Sequence, residues 1–293
     1  MNITLRILEI VLPVLAIIVL GYILGRMWKP DMRVVNRLNL DVFGPFLVLA
    51  YLSDKGVDLV SLWPLVIASV VIVLGSGLLA WPFAKLSGQN PRTFVPPMMF
   101  NNCGNMGLPL ALFAFGAPGV AGMVALFTTS NLLHFTLGAF IVNKHADLKV
   151  LLKSPMVWAT IIGASLGLSG LHLPDSVHAP MKMIGDCTIP VMLLSLGVRM
   201  LDVKREDFSN SLLGAAVCPL TGLLIAGVAA MWLPMNKTQI GLVYLFGSLP
   251  PAVLNFLVAD YYKQEPEKVA SIVLVGNIAS IVFIPFGLWF ALR

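Results

Sequence analysis

The chain has 293 residues, of which 58% are hydrophobic and only 11% charged, against about 25% charged in a soluble domain. That balance excludes a water-soluble globular domain and leaves room for about ten membrane crossings of roughly 20 residues each, with no sizeable extramembrane domain. The net charge of +5 does not indicate nucleic acid, because the basic residues are scattered over loops rather than gathered in one stripe.

In chain order, spans are expected at 7–27, 38–52, 62–83, 93–115, 120–142, 155–171, 181–200, 210–233, 239–259 and 270–292. The first reads as a retained span and not as a signal peptide, since Glu9 interrupts it and Arg26, Lys29, Arg33 and Arg37 follow. Spans one and six carry Gly21-x-x-x-Gly25 and Gly163-x-x-x-Gly167, spacings that let helices approach closely. The second of these also spells the G-x-S-x-G of a serine hydrolase, but it sits in a continuous apolar run and not at a strand-to-helix turn. Asp41 and Asp186 stand about one turn before Pro45 and Pro190, and read as solvated helix-end acids or as coupling residues. Cys103, Cys187 and Cys218 lack the spacing of a disulfide framework or zinc site and read as small buried packing residues.

The fourth span holds the most informative stretch, from Phe100 through Asn101, Asn102, Asn105, Gly107 and Pro109 to Gly116. Pro109 has no N–H to donate and the glycines loosen the turns before it, so a helix breaks inside the membrane. Broken backbone survives at that depth only where it is buried in protein or lines a wet cavity, which makes the break a candidate binding site. Tyr244 to Asn255 repeats the pattern, with Ser248-Leu249-Pro250 matching Gly107-Leu108-Pro109, then Pro251 and Asn255. Asp41 with Pro45 likewise matches Asp186 with Pro190, and Asn131 matches Asn277, at similar separations. The expected fold is therefore all-α, with ten transmembrane helices as two inverted five-helix repeats: 1–142 the first, 143–154 a cytoplasmic linker and 155–293 the second. Spans four and nine are the crossed broken helices.

The fifth span places Thr129, Ser130, Asn131 and His134 near mid-depth, opposite Asn277 and Ser280. His134 reads either as a neutral histidine bonded between helices or as a proton carrier, its reference pKa of about 6.5 lying within reach. Placing the termini outside puts most Lys and Arg residues in the cytoplasm, among them Lys144, Lys149, Lys153, Lys204 and Arg205. A multi-pass protein of the plasma (bacterial inner) membrane is expected. No H-E-x-x-H or other catalytic pair is present, so neither an enzyme nor a cofactor or metal is expected.

The run Asn101 to Pro109, the run Ile189 to Gly197 and the run Leu249 to Asn255 together resemble the auxin efflux carrier family in its compact bacterial form. The resemblance covers nearly the whole chain. It implies a fold shared with bile acid symporters, in which spans one, two, six and seven form a scaffold and spans 3–5 and 8–10 a mobile core. It further implies an organic anion as substrate, auxin in plants and small carboxylates such as malonate in bacterial relatives, and a homodimer. Asn102, Asn105, Pro109, Pro250 and Asn255 match the family's crossover positions, and Asn101, Gly107, Ser248 and Pro251 complete the expected substrate site. Bile acid symporters bind sodium partly through an acid at the second crossover, where this chain has Ser248, Pro250 and Pro251. Proton coupling through His134, with Thr129, Ser130, Asn131 and Asn277 nearby, or uncoupled movement is thus expected ahead of sodium symport. The alternatives are a sodium-coupled symporter and an anion channel.

Overall fold

The structure is a computed structural model that describes residues 2–145, 153–171, 173–202 and 208–293. Lys149, Lys204 and Arg205, assigned above to cytoplasmic connections, lie outside the described residues. Among the described residues all regular structure is helical: α1 (Ile3–Trp28), α2 (Met32–Leu38), a π-helical turn at Asn39–Phe43, α3 (Gly44–Leu52), α4 (Trp63–Leu86) and α5 (Pro91–Met99). A second π-helical turn, Cys103–Gly107, leads into α6 (Leu108–Leu133), and a third, His134–Gly138, into α7 (Ala139–Val142). Then come α8 (Pro155–Ser169), α9 (Asp175–Asp186), α10 (Thr188–Arg199), α11 (Phe208–Trp232), α12 (Lys237–Ser248), α13 (Leu254–Tyr261) and α14 (Pro266–Ala291).

Among the described residues, six helical runs are long and apolar enough to cross a membrane: Ile3–Trp28, Val60–Leu86, Cys103–Val142, Asp175–Arg199, Ser211–Trp232 and Pro266–Ala291. This corrects the expectation of ten spans in two inverted five-helix repeats, which the helices do not form. Hydropathy counts apolar residues but not the hydrogen bonds that a helix must keep. Expected span two falls in a helical run from Met32 through the π-helical turn to Leu52, whose first half carries Arg33, Asn36, Arg37, Asn39 and Asp41, so only the nine residues of α3 are apolar enough for the membrane. Spans four and nine are cut by extended backbone at Phe100 and Leu249. Span six yields only the 15 residues of α8. Spans four and five contribute to a single 40-residue helical run, within which Gly116 takes φ 69° and ψ −157°. That conformation is essentially open to glycine alone, so the chain changes direction there without a loop.

Packing divides the helices into two groups. α1 lies along α10, burying Ile10, Val14, Ile18, Gly21 and Gly25 on one face while Leu5, Leu12 and Val19 stay exposed, as suits a lipid-facing surface. Contact is close enough that a Cβ at Gly197 would overlap the Ile18 carbonyl oxygen, and one at Gly21 the Leu194 carbonyl. α3 packs on α8 and α9. In the other group α11 is central, touching α4, α5, α12 and α14. A polar tie joins the start of α5 to the turn before α14, where the Thr93 hydroxyl donates to Glu265 Oε2 at 2.5 Å and accepts from Gln264 Nε2 at 2.9 Å. Hydrogen bonds from Lys268, and secondarily from Thr93, hold the Glu265 carboxyl below the usual carboxylate range.

Candidate functional site

Local chemistry sets where the two breaks fall. α5 starts on Asn90, whose side chain accepts the Arg92 N–H at 3.0 Å, and Pro91 fills the first turn. It ends where Phe100 turns extended, at φ −109° and ψ 103°. α12 opens with a capping box, Asn236 and Gln239 each accepting the other's backbone N–H. It stops at Leu249 because the residue before Pro250 disfavours the helical region.

The two extended segments then pair antiparallel, Asn101 opposite Pro251. Asn102 N–H donates to the Pro250 carbonyl at 2.7 Å, and Ala252 N–H to the Phe100 carbonyl at 2.8 Å. Asparagine side chains lace this crossing. Asn101 Nδ2 donates to Phe246 O at 2.7 Å, and Asn255 Nδ2 to Phe100 O at 3.0 Å. Asn102 Nδ2 reaches Asn277 Oδ1 at 2.7 Å, and Asn277 Nδ2 in turn holds Pro251 O at 3.1 Å. The buried oxygen of Asn255 has no donor. Ser248 and Thr129 spend their hydroxyls on their own helices, at Leu245 O and Ala125 O. Gly107 closes the second π-helical turn and Pro109 lies in the first turn of α6.

Beside the crossing lies a cavity of about 380 Å³, within the usual range for small-ligand sites. Asn101, Asn102 and Asn105 line it together with Ala252 and Val253, and Asn131 joins from α6. Asn105 is half-buried and makes no side-chain hydrogen bond to the described residues. The backbone N–H groups of Gly104, Asn105, Val253 and Leu254, at the starts of the two outgoing helical segments, likewise find no acceptor among the described residues. Such groups, with the partial positive charge of a helix start, suit an anion. The rest of the polar lining was not foreseen from sequence: Asn36, Asn39, Lys153, Ser195 and Arg199 belong to it. A polar run directly before the Pro45 span was the available signal for Asn36 and Asn39. Sequence reading gave an anion no cation here, whereas the folded chain supplies Arg199 and Lys153.

A second cavity, of about 650 Å³, shares Arg199, Val253 and Leu257 with the first and is lined also by Asn277, Asp260 and Glu267. His134 lines neither. It is buried, stacked on Phe100 with ring centroids 4.1 Å apart, and its Nε2 has no partner. Ser130 is buried as well and lines neither cavity. Of the cysteines, Cys103 and Cys218 are buried but Cys187 is exposed, correcting the expectation for that residue.

Long apolar helices, with a solute-sized cavity lined in part by polar side chains, make this a polytopic α-helical membrane protein of the transporter class. The chain belongs to the membrane transport protein family, the auxin efflux carrier-like group, whose pattern matches residues 6–150 and again 144–288. An uncharacterized transporter of Methanothermobacter thermautotrophicus is 25% identical over 299 residues, covering 96% of each chain. The uncharacterized transporter YfdV of Escherichia coli K12 is 22% identical over 303 residues, covering 95% of each.

Proposed function

We propose that the chain is a secondary transporter that moves a small carboxylate by alternating access, with the anion seated against the crossing. The observation that carries this reading is that Gly104, Asn105, Val253 and Leu254, whose N–H groups find no acceptor among the described residues, line one cavity together with Arg199. Main-chain donors and a cation on the lining can hold a carboxylate and still release it, as a transport cycle requires. In this reading the group of α1, α3 and α8–α10 is the support, and the α11-centred group with both breaks moves against it. Arg26, Lys29, Arg33 and Arg37 follow the first long run and favour the cytoplasm, which puts the N-terminus outside, and an even number of long runs among the described residues returns the C-terminus to that side. Single cysteines introduced at Thr4 and at Arg293, in a Cys187→Ser background, test that orientation. An impermeant thiol reagent is expected to reach both positions from outside; reaction only after the cell is opened reverses the topology.

Purified protein in proteoliposomes tests the activity. Saturable exchange of labelled carboxylate, driven by unlabelled acid on the other side, is expected of a carrier, whereas unsaturable flux would favour a channel. Coupling is assigned to a proton on His134, which is buried beside the Phe100 end of the crossing. His134→Gln is expected to keep exchange and to lose uphill uptake driven by an inward proton gradient, because exchange needs no net proton movement. Concentrative uptake that persists in the variant would remove His134 from the coupling.

A further inference from the structure

Gly104 is the second residue of the π-helical turn Cys103–Gly107, and its N–H is one of the four at the breaks that find no acceptor among the described residues. Two apolar side chains close over it. A Cβ at Gly104 would lie 3.2 Å from Phe127 Cε2 and 3.5 Å from Met192 Cε. Phe127 comes from α6 and Met192 from α10; both are largely buried, and both line the same cavity as Gly104. On a helix the Cβ bond tilts toward the N-terminus, the direction in which the free N–H groups of the first turn also point. The phenyl ring and the thioether therefore stand beside the donors that a carboxylate would use.

Space then decides what can follow the carboxylate in. A single methyl group on Gly104 would already meet the Phe127 ring at 3.2 Å, inside the ordinary carbon–carbon contact of about 3.5–4.0 Å. A carboxylate oxygen bonded to the Gly104 nitrogen sits about 2.9 Å from it, so the carbon attached to the carboxyl group must pass the same two side chains. A CH2 is slim enough to pass. A carbon bearing two further methyl groups has to displace the ring or the thioether, and packed apolar surroundings resist such overfilling. Resting on the carboxylate reading above, we propose that Phe127 and Met192 form a collar that sets specificity, admitting acids unbranched next to the carboxylate and rejecting those crowded at that carbon.

Isomeric acids of equal charge test this by calorimetric titration of the purified full chain, at a pH where every carboxyl group is ionised: pentanoate with pivalate, and glutarate with dimethylmalonate. In at least one pair the unbranched acid is expected to bind about tenfold more tightly or better, the scale on which a methyl-sized misfit acts in an apolar pocket. Met192→Ala is expected to bring that ratio close to one by letting the crowded isomer in. Phe127→Leu opens the collar from its other side and should do the same if the alanine variant folds poorly. A purely structural loss would weaken both isomers alike and leave the ratio where it was. Equal affinities within both wild-type pairs, or a preference that survives both substitutions, would overturn the collar and leave the carboxylate reading standing. Failure of the wild type to bind any of the four acids would overturn both.

Discussion

An Asn102→Leu protein is expected to unfold at lower temperature than the wild type and to lose most of its exchange activity. Asn102 and Asn277 are both buried and share a 2.7 Å hydrogen bond, and Asn277 passes the connection on to the Pro251 carbonyl in the second break. Leucine would strand the Asn277 oxygen, at a cost of about 1–3 kcal/mol for an unpaired buried acceptor. It would also free Asn277 to turn away from Pro251, loosening the segment whose N–H groups face the cavity. Since about 1.4 kcal/mol is a factor of ten, binding should weaken by roughly one to two orders of magnitude. Replacing both asparagines by leucine should cost less than the two single changes added together, because the bond between them is then lost once and neither of its partners is stranded. Asn105→Ala is the contrast, as its amide has no partner to strand: thermal stability should be unchanged and only binding should suffer. Thermal unfolding followed by exchange in proteoliposomes reads both quantities, and an Asn102→Leu protein with wild-type values would show that the asparagine bridge does not hold the crossing.

Arg199→Gln is expected to raise the dissociation constant for carboxylates by about tenfold or more. Arg199, in the last turn of α10, is among the residues that line both cavities. Hydrogen bonds to charged groups contribute about 1.5–3 kcal/mol, and a surviving long-range attraction would still be screened by salt. Wild-type affinity should therefore fall as ionic strength rises, and the glutamine variant should show a flatter dependence. Arg199→Lys is expected to keep the salt dependence but not the full affinity, because an ammonium cannot present the planar fork of donors. Titration at two salt concentrations checks this, and equal affinity of the glutamine variant at low salt would take the charge out of the site.

The breaks were legible because their causes are local. Proline, glycine and asparagine inside an apolar run announce lost helical bonds wherever the chain later goes, and the pairing of Asn101 with Pro251 joins two such places. Span number was not legible, since an apolar run reads the same whether the chain stays helical, turns extended before a proline or changes direction at a positive-φ glycine. Nor was the rest of the cavity's polar lining. Arg199 looks like any loop cation until α10 carries it to the cavity beside Val253 and Leu257, and Asn39 looks solvated until the turn from 39 to 43 buries it. Those positions depend on which helices meet, and helix pairing in this chain is set by close approaches such as Gly197 on Ile18 that no single stretch of sequence encodes.

The crossing also has a consequence for the making of the protein. Its asparagine hydrogen bonds join residues 145 to 175 positions apart. At a synthesis rate of about 5–20 residues per second, the partners of Asn101 and Asn102 leave the ribosome roughly 7 to 35 seconds after they do. Throughout that interval the first break sits in or beside the insertion machinery with its amides unmatched. A nascent chain cut short before Phe246 lacks both the acceptor for Asn101 and the second extended segment, so the crossing can close only once nearly the whole chain has been made.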